Sequence, residues 1–295
     1  MTDVGQDSTV PRRQLGRHLR RLREASGVTV KGAAEHLDCS VQKVWRMEKG
    51  TTAVRGSDVR HLCDFYSADA ELTGVLIGLA RQTRAKGWWQ SYGDAVPEWF
   101  ELYVGLEAAA TLIRTFSPTL VHGLLQAPAY MDSIMEADQP ETSEQERRHQ
   151  VAVKTERRAL LTRHFPPPPR LEVIIWEAVL RSPTNTPGAL EQQIFHLLEA
   201  QQLPNVSVRV LPLAAGPHRA SVTGAFTILE FTADGVQAEP PTVYQESLTG
   251  ALYLDRPHEA RAYDAMWAGL ADKALSEEES AKLMTAIMRE MNGRA

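Results

Sequence analysis

Cysteine is nearly absent. The chain holds two, Cys39 and Cys63, and neither has a second Cys or a His at the spacing of a metal site. That excludes a disulfide-stapled scaffold or a zinc ribbon, and both residues read as small, mostly buried side chains. Long apolar runs are missing too. The longest, Val75 to Ala80 with a glycine inside it, falls far short of the roughly 20 residues that cross a bilayer, so no membrane partner is expected. The opening MTDVGQDSTV has no basic stretch followed by an apolar one, so no secretion signal is read and the expected location is the cytoplasm. There is no Walker A loop, G-x-S-x-G elbow or G-x-G-x-x-G run, and the HExxH start at His258-Glu259 fails because Ala262 stands where the second histidine belongs. The expectation is a protein with no catalytic residue, no metal and no cofactor.

What is present is an ordinary globular composition, 43% hydrophobic and 23% charged over 295 residues, a length that suits about two domains. The net charge of −5 conceals an asymmetry. Residues 1–86 hold 15 Lys+Arg against 10 Asp+Glu, and the remainder holds 17 against 27, so a front of +5 precedes a body of −10. Clustered Arg and Lys neutralise phosphates, so only the front is suited to a polyanion.

That front reads as five helices. Leu15, Leu19 and Leu22 lie at helical spacing on an arginine-studded first helix that Gly27 stops. Thr29 can cap a second helix with a narrow face of Ala33, Ala34 and Leu37. Asp38-Cys39 turns the chain, and Ser40 can cap a third helix that ends at Gly50. In it Val44 and Met47 face inward, while Gln42, Trp45, Arg46 and Lys49 share the outward side. Two more helices, Ser57 to Tyr66 and Ala70 to about Arg84, complete a bundle over 12–86.

Helix, short turn and helix with a basic outward face is the geometry that lets a helix enter a DNA major groove. Gln42 has donor and acceptor groups for a base edge, Lys43 and Arg46 can reach guanine or phosphate, and Val41 can meet a thymine methyl. Arg17, Lys31, Lys49 and Arg55, with Arg20, are expected to neutralise phosphates and set register, and Thr29 lies at the same surface. Trp45 is expected either to pack on a neighbouring helix or to stack on sugar or methyl groups. The plainer alternative is a five-helix bundle with solvated charge. Because one recognition helix reads only a few base pairs, a homodimer on a two-fold symmetric double-stranded operator is expected.

From residue 87 the chain changes character. GWWQSYGDAVPEWFELYVGLEAAATLIRTF is read as the first helices of a second domain, 87–275. Ser143 with Glu146 opens a long polar helix to His164, and Pro166 to Pro169 impose an extended joint. Strands are expected at 171–176, 206–211, 225–231, 242–247 and 251–255, with a helix from Pro187 to Gln201 after the first of them. Helices Pro257 to Leu275 and Ser276 to Met291 follow, so the domain reads as α+β, with a mixed or antiparallel sheet and flanking helices. The last helix, taken as a separate segment 276–295, carries Met284, Ile287, Met288 and Met291 as an apolar stripe. The stripe is expected at a dimer or partner interface, with packing on its own domain as the alternative.

Residues 15–50 resemble the helix-turn-helix repressors of the phage-repressor (XRE) family, through Gly27, Ala34, Leu37, Val44, Glu48 and Gly50. The resemblance implies base contacts at Val30, Val41, Gln42 and Arg46, and a buried ion pair between Arg23 and Glu48. From Trp88 to Ser280 the chain is similar to a large group of actinobacterial XRE regulators whose C-terminal domain, long catalogued as of unknown function, is described as antitoxin-like. LEAAATLIRTFSPTLVHGLLQAPAY, WEAVLR, LPNVSVRVLPLAAGPH, GAFTILEF and YQESLTGALYLDRP carry that likeness. It implies a transcriptional regulator whose second domain binds a small companion protein. The residues themselves leave a second possibility, a small-molecule effector in an aromatic pocket of Trp88, Trp89, Trp99, Tyr103, Glu107, Trp176 and Glu177, against the reading of those aromatics as plain core.

Overall fold

The computed structural model describes residues 10–82, 98–164, 166–231, 240–248 and 250–292. The chain divides into two compact units, Met1–Ala109 and Ala110–Ala295. The sequence boundary at residues 86–87 lies outside the described residues. Among the described residues no helix is long and apolar enough to cross a membrane.

The first unit begins with five helices, α1 (Val10–Ala25), α2 (Val30–His36), α3 (Val41–Lys49), α4 (Gly56–Phe65) and α5 (Ala70–Gln82), and also holds α6 (Glu98–Ala109). Local chemistry sets the breaks. Gly27 adopts a left-handed φ of 69° after α1, and the Thr29 hydroxyl accepts from Gly32 N at 3.0 Å to start α2. Asp38, at φ 49°, turns the chain, and the Ser40 hydroxyl accepts from Lys43 N at 3.2 Å to start α3. Leu15, Leu19, Ala33, Ala34, Val44 and Met47 join α4 and α5 residues in one core. Cys63 is buried there and Cys39 is half-buried; both are free thiols.

The second unit is built on a six-stranded mixed sheet in the order β3-β2-β1-β4-β5-β6. Its strands are β1 (Leu112–Ser117), β2 (Arg170–Trp176), β3 (Val206–Leu211), β4 (Phe226–Glu230), β5 (Thr242–Ser247) and β6 (Gly250–Leu254). The first three pair in parallel, and β4, β5 and β6 add antiparallel on the other side of β1. Its helices are α7 (Pro128–Asp138), α8 (Glu144–Glu156), α9 (Ala189–Ala200), the single turn α10 (Ala220–Thr223), α11 (Pro257–Lys273) and α12 (Glu277–Asn292). Phe116, Ile174, Ile228 and Val243 on one sheet face pack with Trp267 and Leu270 of α11. The alternate residues Ile113, Val173, Ile175, Val208 and Val210 point the other way and are also buried. This is the expected α+β class, with three corrections.

Leu112–Ser117, expected as helix, is a central strand. It pairs with Arg170–Ile175 on one side and Phe226–Glu230 on the other, and the Thr115 and Thr227 hydroxyls bond inside at 3.1 Å. The helix formers upstream do not extend into this β-branched segment once both its edges have partners. The polar helix from Ser143 ends at Glu156 and gives way to a 3-10 turn, Arg157–Leu161, rather than running to His164.

The third correction concerns α12. Its stripe is core, with Met284 and Ile287 fully buried and Met288 and Met291 half-buried. The helix packs on α9 and β3 of its own unit, so the interface expectation fails. The reason is the exposed edge of β3: Val210 N donates to the Ser280 hydroxyl at 2.9 Å and Val210 O accepts from Leu275 N at 2.9 Å. The chain around the capping box of Ser276 and Glu279 thereby closes an edge that otherwise invites foreign strands.

Candidate nucleic-acid interface

The placement of α3 depends on a close crossing. A Cβ on Gly16 of α1 would lie 2.5 Å from the Met47 carbonyl oxygen and 2.6 Å from that of Glu48, so only glycine lets α1 approach this nearly. Gly50, at φ 69°, ends α3 where a Cβ would meet the Arg13 backbone at 2.7 Å. Arg23 then clamps the two helices: its Nε donates to Glu48 Oε1 at 2.6 Å, its Nη2 to Oε2 at 3.0 Å and its Nη1 to the Val28 carbonyl at 3.0 Å. The two side chains are only 10% and 7% exposed, and the carboxylate bonds hold the guanidinium more firmly protonated than usual. The ion pair that the resemblance implied is present. Burial, with the Glu48 charge beside it, pushes the Tyr66 hydroxyl well above the ordinary phenol range.

With Val44 and Met47 buried beneath, α3 presents Val41, Gln42, Trp45, Arg46 and Lys49 to solvent, and Thr29, Lys31 and Arg55 are exposed nearby. Gln42 and Arg46 make no side-chain hydrogen bond or ion pair among the described residues. Trp45 does not pack into a neighbouring helix; it is 51% exposed, with the Lys49 ammonium 3.6 Å from its ring centroid.

Several candidates have other partners. Lys43 Nζ pairs with Asp58 of α4 at 3.1 Å, Lys31 pairs with Glu35 at 3.7 Å, and the Thr29 oxygen is used as a helix cap. Val30 packs on the core, and Arg17 is half-buried; burial, and then the charges of Arg21 and Arg17, lower the His18 imidazole below its ordinary range. Asp58 and Gly16 were not singled out from sequence. Glycine inside a helical pattern was the available signal for the second, whereas no local spacing links Lys43 to Asp58.

The members of the aromatic constellation fall in different units, and part of it lies outside the described residues. Trp88 and Trp89 lie outside the described residues, as does the side chain of Trp99. Tyr103 and Glu107 are buried on α6 in the first unit. Trp176 and Glu177 stand at the end of β2 in the second. Glu177 is a structural tie: one carboxylate oxygen accepts from Arg181 at 2.8 Å and the other from Leu213 N at 2.9 Å. The Gly123–Gln126 segment is held the same way, because fully buried Gln193 donates to the Leu125 carbonyl at 2.7 Å and accepts from Ala127 N at 2.7 Å. Arg209 binds the Ala271, Ala274 and Leu275 carbonyls at the end of α11, at 2.7 to 2.8 Å. Among the described residues no group of three or more His, Cys, Asp or Glu side chains is placed to hold a metal ion.

A capped helix-turn-helix with a solvent-facing third helix defines a class, and residues 14–76 match the model for a helix-turn-helix domain. The first unit is thus the head of a DNA-binding regulator. Residues 100–286 match the model described as a domain of unknown function (DUF5753), which covers more than half of the chain, and the protein belongs to that family. No curated protein and no solved structure matches it.

Proposed function

We propose that the chain is a sequence-specific transcriptional regulator of the XRE type that acts on chromosomal DNA in the cytoplasm, without catalysis, as a homodimer on a two-fold symmetric operator. The observation that carries this reading is the outward face of α3, where Gln42 and Arg46 stand exposed and unengaged in the basic part of the chain. Polar side chains with no internal role on a helix of this geometry are available for base edges. We further propose that the second unit receives a small companion protein. The exposed side chains of Trp176, the last residue of β2, and of Leu120 and Leu213, just past the ends of the parallel strands β1 and β3, support a protein partner for that unit.

The test is selection of bound duplexes from a randomised DNA pool by the full-length protein, followed by footprinting and light scattering. A dimer protecting paired half-sites is expected. Arg46→Ala should weaken binding to the selected duplex by about 1 to 3 kcal/mol at an unchanged melting temperature. A monomer that protects one asymmetric half-site would defeat the dimer reading. Mass spectrometry of the purified protein tests the partner: a co-purifying small protein supports the companion reading, and a bound small molecule replaces it with an effector.

A further inference from the structure

The outward face of α3 is not uniformly polar. Val41 and Trp45 lie four residues apart on one stripe and are 48% and 51% exposed, beside the polar stripe of Gln42 and Arg46. Most solvent-facing helix positions hold polar residues, so two large apolar side chains adjoining on such a face present a small apolar surface that a ligand can cover. The Lys49 ammonium covers one face of the indole, so the ring's other face and edge remain available. Lys43 is drawn toward Asp58 of α4.

The charge around the stripe selects its occupant. Lys31, Arg46 and Lys49 are exposed on and around this helix-turn-helix face, so a second copy of the same face would bring like charges together, whereas a phosphate-lined groove attracts them. Inside a major groove the apolar features on base edges are the thymine 5-methyl groups. We infer that Val41 and Trp45 read thymine by its methyl group, and that each half-site carries thymines where this stripe docks. Four residues of helix advance about 6 Å, roughly two base-pair steps, so the two methyl groups lie within that span. The inference rests on the DNA-binding reading above and assigns its specificity.

Uracil differs from thymine only in lacking that methyl, so the experiment is chemical. Each thymine of the duplex selected by the full-length protein is replaced in turn by deoxyuridine, and affinity is measured for the native protein, Val41→Ala and Trp45→Ala. At one or two positions per half-site the native protein should bind the uracil duplex roughly fourfold more weakly, about the effect of burying one methyl-sized group. Trp45→Ala or Val41→Ala should bind the thymine and uracil forms of its own position equally, while still binding the selected sequence. Melting curves serve as the folding control, which exposed positions should pass. If a sequence is selected but uracil changes nothing at any position, the methyl inference is wrong and the DNA-binding reading stands. If no sequence is selected, both fall. If Trp45→Ala instead dissociates an oligomer and leaves the thymine preference intact, the stripe is a protein contact and the inference is overturned.

Discussion

On α3 the side chains of Gln42 and Arg46 reach solvent with no partner among the described residues, whereas in the second unit Gln193, Arg209 and Glu177 turn inward onto backbone groups of neighbouring elements. Both arrangements use polar residues, yet one presents a surface to something outside and the other ties a scaffold together. Burial separates them. A polar group removed from water must find an internal partner, and one left in water is free for a ligand.

The largest expected effect sharpens the contrast within the first unit. Arg23→Ala leaves the Glu48 carboxylate enclosed without its cation and should cost about 3 kcal/mol of stability, in the lower part of the range for breaking a buried pair. Replacing both residues by leucine should recover much of that loss, and a thermal melt unchanged by Arg23→Ala would show that the clamp does not stabilise the unit. Gln193→Ala is the counterpart in the second unit. It strips partners from the Leu125 carbonyl and the Ala127 amide, and denaturant unfolding should report about 2 to 4 kcal/mol from two buried groups left unpaired.

Gly16→Ala comes next, at about 1 to 3 kcal/mol, because the new methyl meets two α3 carbonyls and the helices must part. The loss of stability should come with weakened DNA binding, since the same contact sets the position of α3. Gly74→Ala, on α5 with nothing within 4 Å of the added Cβ, is the matched control and should stabilise by up to about 1 kcal/mol. Equal effects at the two glycines would contradict the close crossing.

The smallest effect is one of pH. The His18 imidazole is held below its ordinary value of 6.5 by burial and then by Arg21 and Arg17. The unfolded chain therefore takes up the proton first as pH falls. Stability from this source is complete above the unfolded value and is lost as pH drops through the mid-sixes toward the lower folded value. Melting temperatures of the native protein should decline across that window more steeply than those of His18→Gln, and parallel profiles would remove His18 from the account.

Much of the first unit could be read directly. Its helix ends are set by Thr29, Ser40, Gly27 and Gly50 acting on residues within one turn, and the inward and outward faces of α3 follow from helical spacing. The second unit was legible in class and in most of its strands for the same local reasons, apart from Leu112–Ser117, whose strand state depends on partners at Arg170–Ile175 and Phe226–Glu230. Composition alone does not tell that Glu177 has both carboxylate oxygens engaged, by Arg181 and by Leu213 N, since those partners meet it only in the folded chain.

By itself, then, the sequence determined what lies within a few residues along the chain: the caps, the periodicities, the basic front, and the outward side of α3 that holds Gln42, Arg46 and Lys49. The exposure of Trp45, which could also have packed on a neighbouring helix, was settled by the fold. Only the tertiary structure decided that Lys43 is drawn to Asp58, that Val30 joins the core, and that the methionine stripe of α12 covers α9 and the edge of β3. Those outcomes depend on surfaces that meet only after folding, where a stripe of apolar residues has several possible covers and the geometry of the other elements selects one.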